Sequence, residues 1–376
     1  MTNSVELSER IAAPLNASRM VALDGLRGIA VIFVLVEHFT YNEWVRAWLP
    51  GAVGVKTFFV LSGFLITGIL LDARNSPDRY RAARHFFTRR ARRLLPAFLI
   101  AIAIGSLLGI GGLQQDWVWH MTYLSNVQVW LQSSWSGAGH FWTLALEQQF
   151  YLLWFPVIVL LPRHWLGPVV IGLLFAAPIF RLAIVFGASP FLDVLLPAQA
   201  DALAAGALLA LIIRGDISTS FLSWLTRPPI IWALLGTLFI LLSIPAFGLK
   251  RPEMINWVVV PSLIAFAALA IIGSAVTQPQ RLAFLSAPIL VWIGTISYGV
   301  YIYHYFTPQF FVFYAPTLAE AHTAAEKTLR LLGWMLFSFT LAAISWYLVE
   351  KPMLRKPARS GPHDAIADKA GLRTQP

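Results

Sequence analysis

Two ionisable residues inside one apolar stretch set the chemical problem. In VALDGLRGIAVIFVLVEHF, residues 21–39, Arg27 and His38 stand eleven positions apart. At 100° per residue they fall within about 20° of one helix face, with a rise of roughly 16 Å between them. An imidazole exchanges a proton near neutral pH, and a guanidinium is a permanent cation suited to carboxylate or phosphate. Such groups are costly in lipid, so they normally face a bundle interior or a water-filled cavity. The bland alternative is an arginine snorkelling at the membrane edge and a hydrogen-bonded core histidine.

Other stretches add to the set. HFFTRRARRLLP, residues 85–96, carries Arg89, Arg90, Arg92 and Arg93 just ahead of an apolar run that Pro96 opens. Guanidinium groups bind phosphate bidentately, and the competing reading is topology plus anionic headgroups. In GHFWTLALEQQFYLLWFP, residues 139–156, Glu147 lies about seven residues, roughly 10 Å, inside its span. In a hydrocarbon core of about 30 Å its depth nearly matches that of His38. The expectation is a His38–Glu147 pair, in which the carboxylate orients the imidazole as a general base; the alternative is a structural ion pair. His140, near the outer surface, is a weaker candidate. Asp201, in LPAQADALAAGALLAL, should be paired or protonated. ISYGVYIYH sets Ser297, Tyr301 and His304 on one helix face at spacings of four and three, either as a binding stripe or as a tyrosine-lined interface. Glu350 at the inner end of the last span reads as a structural clamp toward the arginines.

The elements that must hold these residues are membrane helices. Of 376 residues, 58% are apolar and 12% charged, and the mean hydropathy of +0.68 excludes a soluble domain. The hydrophobic pattern predicts an all-α, polytopic bundle of about ten spans near 22–41, 54–72, 94–113, 140–161, 166–187, 192–213, 229–248, 256–276, 288–312 and 330–350. Basic residues gather in the loop from Ala73 to Arg93 and in the tail after Lys351, which places both termini in the cytoplasm by the positive-inside rule. The net charge of +10 is read as that bias and as contact with membrane lipids, not nucleic acid. No short apolar segment ends in a small-residue cleavage site, so the first helix is expected to remain as an anchor. The Trp-rich loop 114–139 reads as interfacial or re-entrant, and Pro156, Pro178, Pro197, Pro261 and Pro308 predict kinks or broken helices. The absence of cysteine excludes disulfides and thiolate chemistry.

An ordered set of motifs over about residues 20–355 resembles the acyltransferase-3 family of bacterial integral membrane acyltransferases. It comprises LDGLRGIAVIFVLVEH, GVKTFFVLSGFLIT, RRARRLLP, HFWTLALEQQFYLLW, DALAAGALLA, ISYGVYIYH and the terminal VEKP. The resemblance implies transfer of an acyl group, acetyl by expectation, from cytoplasmic acyl-CoA to a hydroxyl of a carbohydrate or glycolipid such as a cell-surface polysaccharide or lipopolysaccharide. It implies a multi-pass protein of the bacterial inner membrane that needs no metal. The family's essential Arg and His match Arg27 and His38, its arginine pair matches the region from Arg89 and Arg90 to Arg93, and its membrane glutamate matches Glu147.

The match has departures. Gln199 stands where relatives often have Arg, and Lys56 where they are often acidic. Many relatives also carry a C-terminal SGNH hydrolase-like domain. With only a short tail after the last span, the expectation is a chain that acts alone or hands on to a separate partner outside the membrane.

The reading is therefore a cytoplasmic N-terminal tail over 1–19, a membrane acyltransferase domain over 20–355 and a disordered basic tail over 356–376. His38, Glu147 and Arg27 are the expected catalytic residues, and Arg89, Arg90, Arg92 and Arg93 the donor-binding ones. Asp201, Ser297, Tyr301 and His304 are the expected acceptor-binding residues. The rival is a membrane transporter of an acyl group or small anion with a proton-linked His/Glu site, since it too would need intramembrane ionisable residues and kinked helices.

Overall fold

The structure, a computed structural model, describes residues 17–40 and 42–355. The expected basic tail and all but the last three residues of the expected N-terminal tail lie outside them. Among the described residues all regular secondary structure is helical, with no strands. The long helices, labelled in chain order, are α1 (Ala17–Phe39), α2 (Pro50–Arg74), α3 (Arg79–Leu107), α4 (Phe141–Leu160), α5 (Arg163–Val185), α6 (Leu196–Ile213), α7 (Pro228–Ser243), α8 (Val260–Thr277), α9 (Pro288–Tyr303) and α10 (Ala324–Ser345). Among the described residues, 7 segments are long and apolar enough to cross a membrane, or up to 8 if the bent pair Pro279–Ser286 and Pro288–Tyr303 is one span. Helices α1 and α3, 23 and 29 residues long, have the length but carry more charge.

At one end of the bundle, the arginine end, helix termini are tied by Arg163–Asp216 and Arg214–Asp72 ion pairs and by Arg74, which donates to the carbonyls of Ile158 and Leu161. At the far end, the Trp-rich stretch forms two short helices, Leu113–Met121 and Ser125–Gln132. Pro156 and Pro178 do lie inside helices, Pro261 follows a π-helical turn, Ile255–Val259, that runs into α8, and Pro197 occupies the first turn of α6. There the missing N–H costs nothing, because it would have no partner.

The centre of the bundle is α6, whose residues from Ala198 to Ile213 are all buried. Its small side chains let α2 approach closely: a Cβ added at Gly206 would lie 2.0 Å from the carbonyl oxygen of Val60. Helices α1 and α9 meet as tightly, with a Cβ at Gly294 falling 1.8 Å from the oxygen of Asp24. Small residues at such seams are how membrane helices gain packing contact without a hydrophobic driving force. A third close approach, where a Cβ at Gly54 would fall 2.4 Å from the oxygen of Ala30, joins α2 to α1 and so fixes α1, α2 and α9 relative to each other.

Two helix starts differ from the hydropathy reading. Helix α1 is already helical at Ala17, the first described residue, and α3 begins at Arg79, where the Asp78 side chain accepts from the Arg81 N–H at 2.9 Å and caps the helix. The arginine-rich segment is thus a helix and not a loop, and Pro96 lies within α3 instead of opening it. Hydropathy sees only where lipid begins. At 1.5 Å per residue α3 is roughly 44 Å long, more than a core of about 30 Å, so its first turns project beyond.

Candidate active site

A cavity of about 770 Å³, partly open to the outside, lies between α1, α2, α3, α4 and α9. Arg27, Arg90, Arg93, Glu147, Tyr151, Ser297 and Tyr301 line it, alongside apolar side chains of α2 such as Phe58 and Phe59. Helical spacing explains which members of the arginine cluster contribute. Arg90 and Arg93 are three apart and share the inward face, whereas Arg89 is exposed and neither it nor Arg92 lines the cavity.

The polar groups in this cavity form one connected arrangement. The Tyr151 hydroxyl donates to Glu147 Oε2 at 2.9 Å and also meets Ser62 Oγ. The Arg90 guanidinium carbon sits 4.5 Å from the centre of the Tyr151 ring, a cation–π contact. Arg27 pairs with Asp24 one turn earlier on α1. Arg90 Nε is buried and has no hydrogen-bond partner. An orphaned charged donor is costly, and it fits a site whose anion is supplied by a ligand. Glu350 is buried, accepts from Ser345 at 2.9 Å and exerts its charge on Arg93; it touches the cluster through electrostatics and not as a bridging ion pair.

His38 is elsewhere. It lies in the last turn of α1, with Nδ1 against the carbonyl of Val34 at 2.9 Å and an accessible edge. Its ring neighbours are His304 and Tyr305, at centroid distances of 4.9 and 5.4 Å. The expected His38–Glu147 pair is absent: the two share no hydrogen bond or ion pair. The reason is depth. Arg27 faces the same cavity as Glu147, and His38 stands roughly 16 Å further along α1.

Tyr301 joins the two regions. It lines the cavity, shares a 2.7 Å hydrogen bond with Thr143, and lies 5.3 Å from the His304 ring and 5.8 Å from the His140 ring. Ser297 faces the cavity while donating to the carbonyl of Gly294 at 2.8 Å. The Ser297, Tyr301, His304 stripe is therefore split, with the first two on the cavity and His304 beyond the tyrosine. Among the described residues no group of three or more His, Asp or Glu is arranged to hold a metal ion.

Asp201 is not brought to the cavity. It is buried against Arg181 at 2.7 Å, Ser262 at 2.9 Å and Lys56 at 3.5 Å. Lys56 and Gln199, the two departures from the family pattern, both belong to this cluster: Gln199 donates to the carbonyl of Asp193 at 2.8 Å. Arg181 is fully buried on α5 and was missed by the sequence reading, although a lone arginine in AAPIFRLAIV was the available signal. Tyr151 and Ser62 were missed too, as ordinary-looking members of apolar helices. Since removing one partner of a buried ion pair strands the other, Arg181→Met is expected to cost roughly 3–5 kcal/mol. It should appear as a lower melting temperature in detergent, with the specific activity of the surviving folded fraction preserved.

Comparison with known proteins identifies the family of the chain. The family model described as an acyltransferase domain matches residues 20–350. O-acetyltransferase OatA of Staphylococcus aureus (strain NCTC 8325 / PS 47) is 31% identical over 326 residues, covering 75% of this chain and 49% of that protein. A putative O-acetyltransferase, SAS0844, of Staphylococcus aureus (strain MSSA476) is 30% identical over 328 residues, covering 76% and 50%. The chain thus spans about half the length of the curated relatives it matches. No solved structure matches it. With seven motifs in order, a polytopic helical bundle around them and a family match over nearly the whole described chain, the protein belongs to the acyltransferase-3 family.

Proposed function

We propose that the protein is a membrane O-acyltransferase that passes an acyl group, acetyl by likeness to its relatives, from acyl-CoA to a hydroxyl of a carbohydrate or glycolipid. On this reading α1 and α3 also cross the bilayer, giving ten spans with both termini and the arginine end in the cytoplasm of a bacterium and the far end outside the inner membrane. The observation that carries the proposal is the cavity in which Arg27, Arg90 and Arg93 converge with an unpartnered guanidinium donor, and beyond whose Tyr301 lie His304 and then His38.

The division of labour follows from these positions. The guanidinium groups of Arg90 and Arg93 bind the phosphates of the donor from the arginine end, and the long pantetheine arm runs along the Arg27-to-His38 face of α1. Movement of the Tyr301 side chain opens the way to His38. There the imidazole, with Nδ1–H fixed on the carbonyl of Val34, offers a bare Nε2 to the acceptor hydroxyl. Removing that proton makes the oxygen a nucleophile toward the thioester carbon. Asp201, held by Arg181 and Lys56, supports the bundle and does not meet the acceptor.

The test is incorporation of radiolabel from acetyl-CoA into the glycan fraction of bacterial membrane vesicles carrying the protein, together with calorimetric CoA binding. A charged hydrogen bond is worth about 1.5–3 kcal/mol. Arg90→Gln and Arg93→Gln should each therefore weaken CoA binding about 10- to 150-fold, with the loss shrinking as salt is raised. Unchanged CoA affinity in correctly inserted variants would reduce the cluster to a topological signal.

A further inference from the structure

The three histidines at the far end form an arrangement that a lone general base does not require. The His304 ring lies 4.9 Å from His38 and 5.3 Å from His140. Each comes from a different place in the fold: His38 from the last turn of α1, His140 from the residue preceding α4, and His304 from the break between α9 and the helix Phe306–Tyr314. The break turns the His304 ring inward, where it is fully buried, and His140 is nearly so.

Backbone carbonyls fix which nitrogen of each ring carries hydrogen. His38 Nδ1 lies 2.9 Å from the oxygen of Val34, His304 Nδ1 2.7 Å from that of Tyr301, and His140 Nε2 3.0 Å from that of Ile302. A carbonyl oxygen only accepts, so each of these nitrogens donates. In the neutral rings this leaves His38 Nε2, His304 Nε2 and His140 Nδ1 as bare lone pairs. The last two are buried without any hydrogen-bond partner, and a buried polar atom left unsatisfied calls for an explanation. Tyr301 and Tyr305 are the other titratable groups touching these rings, and Arg46, 3.9 Å from Glu37, is the charged group that acts on His38.

We propose that His304 and His140 are positioning residues that share with His38 the single proton taken from the acceptor hydroxyl. During transfer the hydroxyl O–H and thioester C–S bonds break while the new ester C–O and thiol S–H bonds form. The proton is therefore held only between departure from oxygen and capture by the leaving thiolate. Once His38 Nε2 has gained it, the His304 ring, 4.9 Å away centre to centre, takes up the charge through its bare Nε2 on reorientation of the rings, and His140 extends it one ring further. Three imidazoles in contact spread the charge of one proton and resist a second, because like charges at this spacing repel. The proposal rests on the acyl-transfer reading given above and adds the two partners of its base.

His304→Asn and His140→Gln test it, since each amide keeps the donor to the backbone carbonyl and removes only the bare nitrogen. Initial rates of radiolabel transfer from acetyl-CoA into vesicle glycan are measured in mixtures of light and heavy water. The expected result for either variant is a fall in kcat of roughly tenfold or more, the lower range for proton-transfer groups, with KM for acetyl-CoA unchanged. The wild-type proton inventory, curved because several protons move, should become linear, and imidazole in the buffer should restore part of the rate. Unchanged kcat, or a fall with neither a changed inventory nor rescue, would overturn the proposal. If one variant does not insert, the other decides. Failure of the wild-type chain to transfer label would instead overturn the function on which the proposal rests.

Discussion

Glu147→Gln is expected to cut turnover about a hundredfold or more while leaving CoA bound as tightly as before, or more tightly. The side chain is partly buried, accepts from Tyr151 and lines the same cavity as Arg90 and Arg27. Glutamine keeps an oxygen to accept from the Tyr151 hydroxyl, so the change removes charge and little else. A cavity stripped of its carboxylate becomes more positive and loses nothing that a phosphate needs. What it loses is the negative charge that faces Arg90 and Arg27 along the path the pantetheine arm takes toward His38, and removing one preorganised electrostatic group from a dry site typically costs 10²–10³ in rate. A purely structural carboxylate predicts the opposite pattern, a fall in melting temperature with specific activity retained. Calorimetric affinity, melting temperature and turnover measured on the same preparation separate the two.

The chemistry was more legible in the sequence than its spatial grouping. An arginine and a glutamate have no reason to sit in apolar spans unless a cavity receives them, and the structure gathers Arg27 and Glu147 around one. The helical character was equally plain, since apolar runs of this length have few alternatives in lipid. Depth was the hidden quantity. Hydropathy marks where side chains become apolar, whereas helices continue into water as far as capping and charge allow, as the arginine-rich start of α3 behind Asp78 shows. Glu147 proved to share the level of Arg27, which left His38 displaced along α1 into the company of His304 and His140. Pairings between distant helices were hidden for another reason. Nothing near Asp201 in sequence announces Arg181, twenty residues earlier, as its partner.

That displacement sharpens the prediction for His38→Ala. With His38 paired to Glu147, a loss of transfer could not be separated from damage to the donor cavity. With His38 roughly 16 Å further along α1 than Arg27, donor binding and proton removal become separable measurements. Alanine removes the imidazole and its contacts with His304 and Tyr305. The α1–α9 seam at Asp24 and Gly294, near the other end of the helix, is untouched. CoA affinity in calorimetry is therefore expected to match that of the unaltered protein, while label transfer to vesicle glycan falls by about 10²–10⁴, the usual contribution of a positioned general base. Loss of both would place the histidine in the donor site, and substantial transfer by the variant would end its role as the base. A third outcome bears on the route of the acyl group. If the variant still binds CoA but no longer releases CoA thiol from acetyl-CoA when no acceptor is present, then His38 itself receives the acyl group. The imidazole nitrogen would then form the C–N bond as the C–S bond breaks, before a hydroxyl takes the acyl group from it.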